Sequence, residues 1–193
     1  MQTRFVMVGL LLLGFAGPSA VPSMPQTKQA APSSLCRLDI LPKDFQSAIT
    51  TKFPSWKIQE PPNLTPNAKS RWEAEKPLAC PGIAVGEFET PGKLSYAVLL
   101  VPKNASASAY KLLIHAPALP DHLRTLEEWN KGQAANCFIH TIVIAKVFSK
   151  DWIKRLSVTT RDGILAAEAG VNEYGVYVYF WSKEEYHHEP IDY

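Results

Sequence analysis

The chain has 193 residues, 46% hydrophobic, with 20 basic and 18 acidic side chains and a formal charge of +2. That balance, with charges of both signs scattered and no basic block, argues against a nucleic-acid partner and against any partner selected by bulk electrostatics. The length leaves room for a short export segment and one domain able to bury a proper core.

Arg4 supplies a positive start, Phe5 to Phe15 is a nearly unbroken apolar run, and small residues follow at Ala16, Gly17, Ser19 and Ala20. This order predicts a signal peptide over 1–20, cleaved after Ser19 or Ala20, rather than a spanning helix, with an uncleaved signal anchor as the alternative. No cysteine follows the apolar run directly, so a bacterial lipid anchor is not indicated. Residues 21–34, VPSMPQTKQAAPSS, have almost nothing to bury and predict a disordered linker. The single domain is expected over 35–193, in the periplasm or secreted. No later apolar stretch is long enough for a membrane span.

Three cysteines, Cys36, Cys80 and Cys137, sit in a chain expected in an oxidising compartment. Cys36 precedes the first helix and Cys80 the first hairpin, which favours a bridge between them; Cys80 to Cys137 is the competing pairing. Cys137 opens the run Cys137-Phe138-Ile139 and reads as a small buried side chain. With no Cys-x-x-Cys pair and scattered histidines, no metal is expected, and no cofactor either.

Pro42 in the first turn, an apolar face of Phe45, Ala48, Ile49 and Phe53, and a stop at Pro54 predict the first helix. Trp56 and Ile58 alternate with polar residues as a short strand. Thr65 and Pro66 then cap and open a second helix to Glu75, anchored by Trp72 and ended by Pro77. Two apolar runs, Ile83 to Phe88 and Leu94 to Pro102, flank Thr90-Pro91-Gly92-Lys93 as a hairpin with a longer loop. Tyr110 to Ala116 reads as a strand after the small-residue loop from Asn104 to Ala109, and Pro117 to Pro120 breaks it. In Leu123 to Asn130, Glu127 four before Lys131 favours a helix and the position between strands favours a hairpin arm; it is read as a further strand, followed by a loop through Lys131-Gly132-Gln133. Phe138 to Phe148 is expected as one long strand and Ser149 to Arg155 as a helical turn. Leu156 to Thr159 and Ile164 to Ala167 are expected to pair around Thr160-Arg161-Asp162-Gly163. Tyr174 to Trp181 and Tyr186 to Ile191 form the last pair. Strands joined by short turns after N-terminal helices predict an α+β domain, an antiparallel sheet with those helices packed on one face.

The turn Glu87-Phe88-Glu89-Thr90-Pro91-Gly92-Lys93 resembles the calcium loops of FG-GAP and VCBS-type repeats. Only two carboxylates are present where calcium takes six to eight oxygens, so a plain turn is the better reading. The strand near the C-terminus sets Tyr177, Tyr179 and Trp181 on one side and Val176, Val178 and Phe180 on the other. The aromatic side is the candidate binding face, and packing of that side under the helices is the competing expectation. His187 and His188 would point to opposite faces, a poor geometry for one metal.

No Gly-x-Ser-x-Gly, His-Glu-x-x-His, Gly-x-Gly-x-x-Gly or phosphate-loop pattern occurs. His115, His122 and His140 lie near strands, where any could meet an acid in space. Asn63-Leu64-Thr65 and Asn104-Ala105-Ser106 match the glycosylation triplet, which matters only in a eukaryotic host.

The signal segment, LPKDFQSAITTKFPSWKI, ACPGIAVGEF and the ending VYVYFWSKEEYHHEPIDY together resemble a group of exported bacterial proteins of unknown function. The resemblance implies a small periplasmic or secreted domain and brings no catalytic residues. The sequence thus favours an exported binding domain with an envelope or extracellular protein or glycan as partner, one that caps it with its sheet or loops as an inhibitor or immunity protein does. The alternatives are a small cell-envelope hydrolase with a dispersed histidine site and a purely structural envelope protein.

Overall fold

The computed structural model describes residues 36–75, 79–104, 109–116, 122–129, 134–170 and 174–192. The expected signal peptide, linker, Pro77 stop, Pro117 to Pro120 break and Lys131-Gly132-Gln133 loop lie outside them, as does most of the Asn104 to Ala109 loop. Among the described residues no helix is long and apolar enough to cross a membrane.

Helix α1 (Lys43–Lys52) follows Pro42 and buries Phe45 and Ile49. Strand β1 is Trp56–Ile58. Helix α2 (Pro66–Glu75) buries Ala68 and Trp72, and Thr65 Oγ1 accepts from the Ala68 amide at its start. Strands β2 (Ile83–Gly86), β3 (Ser95–Pro102), β4 (Tyr110–His115) and β5 (Leu123–Trp129) complete a first antiparallel sheet with β1. In it β1 and β2 lie end to end along one edge of β3, at Ile58↔Leu100 and Ile83↔Val98. Strands β6 (Cys137–Val143), β7 (Asp162–Ala169), β8 (Tyr174–Ser182) and β9 (Glu185–Pro190) form a second antiparallel sheet in chain order. Short helix α3 (Lys150–Arg155) interrupts the connection from β6 to β7.

The domain is α+β and antiparallel, but the strands divide into two sheets and each takes its own helix. Phe45 and Ile49 of α1 pack on Val98, Leu100 and Leu113, beside the disulfide. Ala68 and Trp72 of α2 pack on Phe138, Leu165, Val176 and Val178 of the second sheet. Between the sheets lie Ala97, Leu99, Leu112 and Ile114 from one side and Ile139, Ile164 and Tyr179 from the other. The order of layers is α1, first sheet, second sheet, α2.

Strand β2 joins the halves. The Ile139 amide donates to the Pro81 carbonyl at 2.7 Å, and the Thr141 hydroxyl donates to the Val85 carbonyl and accepts from the Val85 amide at 2.7 and 3.1 Å. Fully buried Gln59 adds a second tie, its Nε2 donating to the carbonyls of Ala134 and Cys137. Loop 87–94 turns at Pro91-Gly92, where Gly92 has φ +78° and the Lys93 amide returns to the Thr90 carbonyl. Proline followed by a positive-φ glycine is the signature of a type II turn.

Two expected elements differ. The run from Phe138 does not stay extended to Phe148: the ladder ends at Val143 and a 3-10 turn follows over Ile144–Lys146. The turn carries Phe148 onto Trp152 of α3, at 3.6 Å between ring centroids, and Trp152 meets Phe180 edge-on. Leu156 to Thr159 does not pair with Ile164 to Ala167, because Ser157 sits at φ 55° and only Val158 makes a bridge, to Ser182. Asp162-Gly163 opens β7 instead, and β6 supplies its partner over seven residue pairs.

The disulfide joins Cys36 and Cys80, and Cys137 is buried outside it. At Gly82 an added Cβ would lie 2.5 Å from the Gln59 carbonyl oxygen, where backbone meets backbone. Gly82→Ala is therefore expected to lower unfolding free energy by about 2 kcal/mol or more in chemical denaturation. A loss under about 0.5 kcal/mol, the range of ordinary surface changes, would contradict that close approach.

Candidate functional site

The space between the sheets has two dissimilar ends. At one, inner-face positions pair as Tyr110↔Trp129, Cys137↔Glu168, Ala166↔Tyr177 and Tyr179↔His188. A cavity of about 20 Å³ opens there, with Tyr110, Glu127, Cys137, Glu168, Tyr177 and Tyr179 in its walls. Tyr110 stacks on Trp129 at 6.2 Å, and His188 stands edge-on to Tyr177 at 5.8 Å. Trp129 is 47% exposed and Tyr177 41%, although both belong to inner faces, so this end is a mouth rather than a sealed core.

Two carboxyl side chains, Glu127 and Glu168, stand in the mouth. Burial raises the Glu127 carboxyl above the usual carboxylate range, and Glu168 adds to the rise while His188 opposes it. Burial likewise pushes up the Cys137 thiol and the Tyr110 hydroxyl, with Glu127 and Glu168 contributing to both. A buried thiol held protonated beside two carboxylates is a poor nucleophile.

The far end is plugged. Loop 87–94 turns Glu89 inward, where it is 6% exposed and hydrogen-bonded by the hydroxyls of Ser95 and Tyr186. Tyr186 packs edge-on against Trp181, and Arg124 of β5 lies 5.7 Å over the Trp181 ring. Burial pushes the Glu89 carboxyl up to about 7, against the Ser95 hydrogen bond, its own backbone and the Arg124 charge.

Two other histidine–carboxylate pairs lie on the outer faces and fasten helix to sheet. His115 Nε2 is 2.9 Å from Asp44 at the start of α1, and the ring stacks on Phe45. That hydrogen bond holds the Asp44 carboxyl below its ordinary value. His140 Nε2 is 2.8 Å from Glu75 at the end of α2, both side chains being nearly buried. His140 Nδ1 also lies 3.0 Å from the Thr141 carbonyl oxygen. Among the described residues no group of three or more histidine, cysteine or acidic side chains is placed to hold a metal ion.

Tyr177, Tyr179 and Trp181 all face the first sheet, and the helices pack instead on the Val176 and Val178 side. The three are not equivalent. Tyr177 is at the mouth, Tyr179 is buried in the centre, and half-buried Trp181 is at the plugged end. His187 and His188 do face opposite ways, toward Phe180 outside and toward Tyr177 and Tyr179 inside. Sequence reading passed over Tyr110, Glu127, Trp129 and Glu168, whose strand phase alone could have marked them as inward polar positions. It read Glu89 only as a possible calcium oxygen. An outer groove of about 330 Å³ runs along the β8–β9 hairpin, with Leu156, Phe180 and His187 in its walls.

Glu89 gives this geometry a measurable pH signature. Its folded value lies above its ordinary value of 4.5, so between about pH 4.5 and pH 7 the folded chain keeps a proton that the unfolded chain has released. Stability is then expected to fall across that window as pH rises, by about 3 kcal/mol in all. Glu89→Gln should remove that slope in denaturant titrations at pH 4.5, 6 and 8, and an unchanged slope would contradict the burial of Glu89. Compared with known proteins, the chain matches no family model, no curated protein and no solved structure.

Proposed function

We propose that this is an exported binding domain that meets an envelope or extracellular partner through the open end between its sheets. The observation carrying this reading is the exposure of Trp129 and Tyr177, one from each sheet, at the open end between the sheets. Aromatic rings in that half-wet setting give a partner large contact area at low conformational cost. Export is supported by the apolar N-terminal segment and by the Cys36–Cys80 bridge, a bond that persists in oxidising compartments. Binding is favoured over hydrolysis because His115 and His140 are engaged by helix carboxylates and the Cys137 thiol is held protonated.

Affinity capture from envelope and culture extracts, with mass spectrometry of what is retained, tests the reading. A saturable partner is expected with the parent chain, and Tyr177→Ser combined with Trp129→Ser should reduce its retention at least tenfold while circular dichroism stays unchanged. Retention unaffected by the double substitution would place the contact elsewhere and overturn this assignment of the mouth.

A further inference from the structure

The plugged end between the sheets is closed by a short segment that a carboxyl draws inward. Phe88, fully buried between the sheets, and Ser95, 2% exposed at the start of β3, hold the ends of segment 89–94. Pro91, Gly92, Lys93 and Leu94 are exposed, while Glu89 turns in. The Glu89 carboxyl takes hydroxyls from both sheets, Ser95 of β3 and Tyr186 of β9, and so ties the segment across the gap. The charged side chains around it are Glu87 and Lys93 on the loop, Asp162 on β7 and Arg124 on β5. Glu87 accepts the Gly92 amide at 2.9 Å and Asp162 accepts the Glu87 amide at 3.1 Å. Arg124 lies over the Trp181 ring and favours the charged form of Glu89. A carboxyl buried among hydroxyls and aromatic rings is stable with its proton and costly without it.

We propose that segment 89–94 is a proton-held latch, closed while Glu89 is neutral and released as Glu89 ionises, which uncovers Trp181 and Tyr186. Water solvates the released carboxylate, and that difference drives the opening. The released carboxyl has the ordinary value of 4.5 and the closed one about 7. The ratio of open to closed chains therefore rises with pH between those values, by about 300-fold in all, and is level above them. Phe88 stays seated, so the opening ends there and both sheets remain packed. Acid keeps this end closed, and neutral pH gives access to a second aromatic end, opposite the mouth at Trp129 and Tyr177. The latch does not rest on the binding reading of that mouth.

Trypsin digestion of the full chain at pH 8 tests the latch, because cleavage after Lys93 follows the population in which the segment has left its turn. Glu89→Gln keeps the size of the side chain and cannot ionise, so it should be cut after Lys93 at least tenfold more slowly than the parent. Cleavage after Lys111, buried in β4 between β3 and β5, should lag far behind Lys93 in the parent. Arg124→Gln removes a cation that favours ionised Glu89 in its closed position, so this variant should be cut after Lys93 at least threefold faster than the parent. Combined with Glu89→Gln, the same change should have no effect, and the Arg124 comparison decides the matter even where Glu89→Gln folds poorly. Equal cutting after Lys93 in the parent and Glu89→Gln would overturn the proposal, as would no acceleration in Arg124→Gln. Cutting after Lys111 that keeps pace with Lys93 would also overturn it, since Glu89 would then act on the whole fold and not on a local latch.

Discussion

Both sheets depend on one four-residue strand whose edges are satisfied by different means. On one side β2 makes an ordinary antiparallel ladder with β3. On the other, the Thr141 side chain and the Pro81 carbonyl reach across to β6 without a regular ladder. The apolar side chains between the sheets hold them together, and these hydrogen bonds, with those of Gln59, fix where β2 meets β6. The approach also depends on small size at Gly82, where the β2 entry lies directly on the Gln59 backbone. The disulfide at Cys80 fixes the same entry covalently and closes a span of 44 residues. Loop-closure entropy of that length is worth about 4 kcal/mol.

Once β2 is fixed, the helices are attached by a repeated device. Each lays an apolar stripe on the outer face of a sheet and then sets one carboxylate against a histidine of that sheet, Asp44 on His115 and Glu75 on His140. Apolar packing supplies most of the stabilisation, because burying charged partners returns little net energy. What the pairs add is direction: a hydrogen bond at one end of each helix restricts how it rotates or slides on the sheet. Histidines engaged in this way are occupied with structure, and the chemistry moves to the inner faces.

There the two ends differ among the described residues in what lies over them. Loop 87–94 folds over the end where Ser95, Trp181 and Tyr186 lie, and brings Glu89 with it. At the other end Trp129 and Tyr177 reach solvent, and Glu127 and Glu168 stand in the walls of the cavity beside Tyr177.

Much of the local structure was legible in the residues. Pro42 and Pro54 bounded α1, Thr65 and Pro66 opened α2, and Thr90-Pro91-Gly92-Lys93 marked the first loop, because proline, glycine and capping side chains act through the backbone nearby. The alternation of β8 showed that Tyr177, Tyr179 and Trp181 share a face. Alternation could not say that this face meets a second sheet, nor that its three rings would divide among mouth, centre and plug. The β-branched run through Val143 looked continuous, yet the chain turned there so that Phe148 could reach Trp152 and Phe180. Sequence by itself determined most of the elements, the antiparallel α+β class and the sidedness of the aromatic strand, since these follow from short-range sterics and periodicity. Only the tertiary structure decided which cysteines bond, which acids meet histidines, and that Glu127 and Glu168 converge from different sheets. Those pairings join residues far apart in the chain, and no local pattern encodes a distance across the fold.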